Sequence, residues 1–178
     1  VRIISSDMGL NISQRNITVS TCGIVPKIKK LADEGLNITL ALSLHAPNDE
    51  IRKTIMPVAN KYALKDIIAA CDYYFKKTGR RVSYEYSLVA GVNDNMEEAK
   101  SLVRLVNGRN IHINLIPVNP IKERDFKQSD KFKIKAFRDF LEKRGVNATI
   151  RREMGRDIDG ACGQLRRRFI ESSNKSES

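Results

Sequence analysis

About five strand-like stretches alternate with about four helix-like stretches along this 178-residue chain, joined by short turns. No other feature constrains the fold as tightly. Strand, helix, strand with short links requires parallel strands joined by right-handed crossovers. A closed eight-stranded barrel of that kind needs about 250 residues. The expectation is therefore an α/β protein: an incomplete β/α (TIM-like) barrel, or open curved sheet, with helices outside. Residues 1–170 read as one such unit, with no internal repeat. Residues 171–178 form a polar tail with too few apolar groups to pack, expected to be disordered.

The individual elements have clear local causes. Residues 17–21 are a short β-branched run. Pro26 suits the first turn of a helix and Gly35 its end. In residues 38–44, Ile38, Leu40, Leu42 and Leu44 alternate with Thr39, Ala41 and Ser43. The next helix is the plainest, since Leu64, Ile67, Ile68, Cys71, Tyr74 and Phe75 follow helical spacing up to Gly79. Val82, Tyr84, Tyr86 and Leu88 mark a further alternating strand. Asn95 and Glu98 resemble a helix-start box, ahead of an apolar stripe of Ala99, Leu102, Val103 and Val106. Residues 111–116 form another strand, closed by Pro117 and Pro120. Ile134, Phe137 and Leu141 mark a helix that stops at Gly145, and residues 148–151 a last short strand.

The period-2 rule also predicts the lining. With the apolar positions turned to the helices, Thr39, Ala41, Ser43 and His45 share the inner face, as do Glu85, His112 and Asn114 from later strands. Barrel interiors are usually filled by branched aliphatics. A small and polar lining instead suggests a ligand at the C-terminal strand ends. For Glu85 and His112 the plainer alternative is a set of satisfied core hydrogen bonds. Ser43 and His45 stand at a strand end, where barrel enzymes keep their ligand contacts. Asn119 lies between two prolines that stiffen its loop, with a donor and an acceptor for a ligand's polar edge or for an Asx turn. Cys71 reads as core, and of Ser20 and Cys22 the serine is the better candidate contact.

Thirty-two Lys and Arg against 21 Asp and Glu give a net charge of +11. This suits a polyanionic partner, because basic side chains displace counterions condensed on phosphates. A merely solubilising surface remains the alternative. The three cysteines, Cys22, Cys71 and Cys162, are too widely spaced for a disulfide framework or a compact metal site. They fit a reducing, cytoplasmic setting. No apolar run of about 18 residues is present to span a membrane, and no signal peptide opens the chain. Val1 to Ile4 reads as sequence already in progress, which points to a fragment.

The stretch from Gly155 to Leu165 holds the most suggestive side chain, Cys162, between Ala161 and Gly163. These small neighbours leave its sulfur room for a bulky partner. Arg166, Arg167 and Arg168 follow, close enough to serve a phosphate backbone.

Four segments together resemble the radical S-adenosylmethionine (SAM) RNA methyltransferases of the RlmN and Cfr type. They are Thr18-Val19-Ser20-Thr21-Cys22-Gly23, the run from Leu42 through Ser43-Leu44-His45 to Asp49, the run from Asn114 to Pro120, and the Cys162 loop. Their order and spacing agree from near Val1 to about Arg168. The resemblance implies a partial barrel holding SAM and a 4Fe–4S cluster, with Ser20, Ser43, Leu44, His45 and Asn119 against the SAM. It makes Cys162 a thiol that is methylated and then passes on its carbon. The implied substrate is a ring carbon of adenine, typically carbon 2, in 23S rRNA and tRNA, with an electron donor such as flavodoxin or ferredoxin. That carbon lies between two ring nitrogens and is not nucleophilic, so direct attack on the sulfonium methyl is unpromising. In the family's chemistry a second SAM is cleaved reductively to a deoxyadenosyl radical, which activates the methylated cysteine for addition to the adenine. A second cysteine then resolves the thioether link to the RNA.

The chain departs from the family pattern at three points. The three-cysteine cluster motif and the glycine-rich methionine-binding segment are absent, as is the family's resolving cysteine, a role that passes to neither Cys22 nor Cys71. A piece holding the C-terminal half, inactive by itself, is the expectation. Two competing readings are a non-catalytic RNA-binding module and a barrel enzyme for phosphorylated metabolites. The first lacks an evident stacking platform, at 6% aromatic residues. The second lacks a convincing glycine-rich phosphate loop.

Overall fold

The computed structural model describes residues 1–118 and 126–151. Five strands form one sheet, all parallel, in the sequential order β1-β2-β3-β4-β5. They are β1 (Thr18–Thr21), β2 (Thr39–Ser43), β3 (Val82–Leu88), β4 (Ile111–Pro117) and β5 (Ala148–Ile150). Sequential order means that every crossover steps the same way, as in a β/α barrel. A doubly wound sheet would reverse its direction partway. The expected α/β partial barrel is thus the fold observed.

The connecting helices are α1 (Arg2–Ser5), α2 (Val25–Asp33), α3 (Asp49–Ile55), α4 (Leu64–Thr78), α5 (Met96–Val106) and α6 (Lys131–Glu142). The sequence reading located α2, α4, α5 and α6 and missed α1 and α3. Helix α3 starts at Asn48, whose Oδ1 accepts from the Ile51 N–H at 2.9 Å. Asp49 Oδ1 in turn accepts from the Leu64 N–H at 2.7 Å and so caps the start of α4. Helix α4 ends at Gly79, where φ is 65° and the N–H returns to the Phe75 carbonyl at 2.8 Å. Two details differ from expectation. Phe75 lies at the rim of the α4 stripe, 37% exposed. Asn95 occupies the N-cap of α5, but its side chain makes no capping hydrogen bond.

The core lies between the sheet's outer face and the helices. Leu40, Leu42, Leu44, Tyr84, Tyr86 and Leu88 are fully buried against Ile67, Tyr74, Leu102 and Phe137. Each such side chain contributes about 1.5–3 kcal/mol of burial, and the alternation fixes which face of each strand turns inward. Two buried tyrosine tips find backbone partners. The Tyr74 hydroxyl donates to the Ile38 carbonyl at 2.8 Å, and the Tyr86 hydroxyl to the Asn93 carbonyl at 3.0 Å. Cys71 is core, as its helical spacing requires, and burial pushes its thiol up to about 12.

Candidate functional site

The inner face of the sheet is polar, and strand register arranges it in rows. Ser20, Ala41, Ser83 and His112 form one transverse row. Ser43, Glu85, Asn114 and Thr149 form the next, nearer the C-terminal strand ends. Glu85 and His112 are partnered. Glu85 accepts from Ser83 Oγ at 3.1 Å and from Asn114 Nδ2 at 2.7 Å. His112 bonds Asn147 at 3.0 Å and Thr149 at 2.9 Å. For this pair the plainer reading, internal hydrogen bonding, describes the structure. A trough of about 570 Å³ runs from Thr18 and Thr39 past Arg80 to Ser83 and Glu85, so the inner face is open as well as polar.

At the C-terminal ends the geometry is different. The hydroxyls of Ser20 and Ser43 carry no hydrogen bond to any described residue, and both side chains are accessible. Leu44, by contrast, is fully buried, and both its backbone groups are taken, the N–H by the Glu85 carbonyl and the carbonyl by Arg52. His45 takes a left-handed backbone, φ 57°, two residues past the end of β2. Its N–H and that of Leu44 both reach the Glu85 carbonyl, at 3.2 and 3.0 Å. Its Nδ1 accepts from the Ser87 N–H at 3.0 Å. Burial, with the nearby Arg52 cation second, lowers the imidazole from 6.5 to about 4.

This shift has a measurable consequence. Below pH 6.5 the unfolded chain protonates His45 while the folded chain does not, so acid favours unfolding. The His45 contribution is complete above pH 6.5, declines as pH falls, and is lost by about pH 4. The shift from 6.5 to about 4 corresponds to about 3 kcal/mol. Denaturant midpoints measured from pH 7 to pH 4 are expected to fall, and to fall less in a His45→Gln variant.

Two residues that sequence reasoning missed hold these strand ends. Arg52, on α3, is fully buried, with Nε donating to the Leu44 carbonyl at 3.1 Å. Its Nη2 donates to the Cys22 and Ser43 carbonyls at 2.8 and 3.2 Å. It therefore ties β1 to β2 at the end that carries the candidate contacts. Gly23 makes room for it. With φ 100°, a Cβ there would stand 2.9 Å from Ile67 Cδ1 and 3.2 Å from Arg52 Nη2. Asn93, fully buried in the turn after β3, donates from Nδ2 to the His45 and Ser87 carbonyls, each at 2.7 Å. Nothing in their spacing marks either residue. The signals available were an arginine in a polar helix and an asparagine after a glycine turn.

Asn119, Cys162 and the Arg166–Arg168 run lie outside the described residues. Among the described residues no three His, Cys, Asp or Glu side chains gather to hold a metal ion. No described helix is long and apolar enough to cross a membrane.

The polar groups at the strand ends fit an extended ligand with several acceptors and hydroxyls, bound where barrel enzymes bind. Residues 2–105 match the radical SAM superfamily, and the chain belongs to that superfamily. Members in general use SAM together with a 4Fe–4S cluster.

Over 99% of its length the chain is 65% identical to a protein of Lachnospira eligens named a probable dual-specificity RNA methyltransferase RlmN. It is 66% identical to the protein of that name from Lachnoclostridium phytofermentans. It spans about half of these relatives, 51% and 50% of their lengths. A radical SAM methyltransferase from Sphaerobacter thermophilus superposes with a TM-score of 0.87 at 45% identity, covering 92% of this chain and 48% of that one. A domain of a pyruvate-formate lyase-activating enzyme from Bacteroides vulgatus shares the fold alone, at 17% identity and a TM-score of 0.52.

Proposed function

We propose that this chain supplies the SAM-binding and methyl-relay half of a radical SAM RNA adenine methyltransferase. One observation carries the reading. In a chain 65% identical to a relative named RlmN, the Ser20 and Ser43 hydroxyls and the His45 Nε2, which have no partner among the described residues, come to adjacent strand ends. Asn119, two residues past the end of β4 in the sequence, is assigned to the same set. These groups would bind SAM by donating to and accepting from its polar edges, with the buried Leu44 anchoring the segment between Ser43 and His45. SAM supplies an electrophilic methyl group and, when cleaved reductively, a hydrogen-abstracting radical. The described residues do not fit the 4Fe–4S cluster, since no set of ligands gathers among them. Its ligands are assigned outside this chain, and no step here runs through it.

Cys162 accepts the methyl on its sulfur, giving up its thiol proton, and carries the carbon to the adenine ring. The small residues on either side of it in the sequence, Ala161 and Gly163, suit a thioether that base and cofactor must approach. The substrates are 23S rRNA and tRNA, held in part by Arg166–Arg168, and the reductant is a low-potential protein such as flavodoxin or ferredoxin. Such chemistry belongs to the cytoplasm, where thiols stay reduced.

The intact polypeptide, given SAM, a reductant and either RNA, is expected to yield 2-methyladenosine on nuclease digestion and mass spectrometry. A product methylated at carbon 8 would reassign it to the Cfr type. Unmethylated RNA under conditions where SAM is consumed would overturn the reading.

A further inference from the structure

The ring of His45 has one nitrogen already committed. A backbone N–H can only donate, so the Ser87 bond at 3.0 Å requires a lone pair on Nδ1 and leaves the imidazole hydrogen on Nε2. That Nε2–H has no acceptor among the described residues. It is a donor of fixed direction on a half-buried residue two positions past Ser43.

The arrangement depends on two backbone segments staying in place, and one side chain touches both. Asn93 gives one amide hydrogen to the carbonyl of His45 and the other to that of Ser87, each at 2.7 Å. Its Oδ1 takes the Val89 N–H at 2.7 Å, and its own carbonyl takes the Tyr86 hydroxyl at 3.0 Å. The turn that carries it is braced in turn. Asp94, 2% exposed, accepts from the Gly91 N–H and from Ser129 Oγ, both at 2.9 Å. The two residues that form the imidazole contact are thus the two whose carbonyls Asn93 holds.

We propose that Asn93 is a positioning residue. It locks His45 against Ser87 so that the imidazole presents Nε2–H as a single donor to an acceptor atom of the ligand at the strand ends. That the ligand is SAM rests on the function proposed above, whereas the hydrogen-bond logic does not. The depressed basicity of His45 supports it, because a neutral ring keeps its one donor across the physiological range.

Substitutions at His45 separate the donor from the backbone. Glutamine places an amide N–H near the ε position. Asparagine suits the left-handed backbone better, being enriched there, but its amide reaches only the δ position. In the intact enzyme, His45→Gln is expected to bind SAM within about fivefold of wild type, and His45→Asn at least about tenfold more weakly. Asn93→Asp keeps the shape and loses both N–H donors. It is expected to raise the KM for SAM about tenfold or more, with a smaller change in kcat. Nitrogen-15 spectra of the ligand-free enzyme, with His45 assigned by its loss in His45→Gln, are expected to show Nε2 protonated. In Asn93→Asp they are expected to show a mixture of tautomers.

A His45→Asn variant that binds SAM as well as wild type, or an Asn93→Asp variant with unchanged tautomer and unchanged SAM affinity, would overturn the proposal. If Asn93→Asp does not fold, the His45 pair and the wild-type spectrum still decide it. A wild-type enzyme with the stated tautomer that binds no SAM would sink the ligand assignment and leave the lock standing.

Discussion

An Arg52→Ala variant is expected to lose about 3–5 kcal/mol of stability, among the largest losses available to a single substitution in this chain. Three strand-end carbonyls, of Cys22, Ser43 and Leu44, would lose their donor inside the protein. Each stranded acceptor costs about 1–3 kcal/mol, and the vacated volume adds a cavity term. Part of this is returned. The guanidinium is itself expensive to bury, which is why its basicity is depressed, and its Nη1 has no partner among the described residues. The net effect stays well on the destabilising side, because an alanine cannot close the gap between α3 and two strands. For a domain of this size the melting temperature is expected to fall by about 10 °C. Arg52→Lys should lose roughly half as much, since one ammonium can reach one or two of the carbonyls but cannot fork across three. Thermal melts of the two variants check both statements.

The second large effect concerns chemistry rather than folding. Under the proposed function, Cys162→Ala is expected to abolish RNA methylation, by about a thousandfold or more, because no other group can take the carbon that the sulfur carries. Cleavage of SAM is expected to survive, since its contacts at Ser20, Ser43 and His45 are untouched. Assaying methylated adenosine and cleaved SAM on the same sample separates the two steps. Equal loss of both would mean that Cys162 serves cofactor binding and not methyl relay.

The fold was largely legible in the sequence, and the reason is physical. Alternation in residues 38–44 and 82–88 places Leu40, Leu42, Tyr84 and Tyr86 on the helix side, and these are fully buried. Helical spacing did the same for Ile67, Cys71 and Tyr74 on α4. Helix α3 escaped because its apolar positions are few and its buried residue is an arginine. A buried charge in a helix reads as a solvent-facing one until the carbonyls that hold it are seen.

The candidate site was legible in part. Strand ends drew attention to Ser20, Ser43 and His45, and the register brings them to neighbouring strands. Their supports were not visible in sequence. Arg52 reaches back to Cys22, and Asn93 back to His45, across 30 and 48 residues. Such pairings exist only once the sheet is assembled. Glu85 and His112 show the opposite case: inward-facing polar residues that look chemical in sequence can be bonded to their neighbours within the sheet.

The most direct test of the methyl-relay claim is the fate of the labelled methyl group. The intact enzyme, incubated with SAM carrying an isotopically labelled methyl and then digested, should yield a Cys162 peptide heavier by one labelled methyl group, and RNA that gains that label on adenine. Labelled RNA together with an unlabelled Cys162 at every time sampled, or methylation that persists in Cys162→Ala, would contradict it.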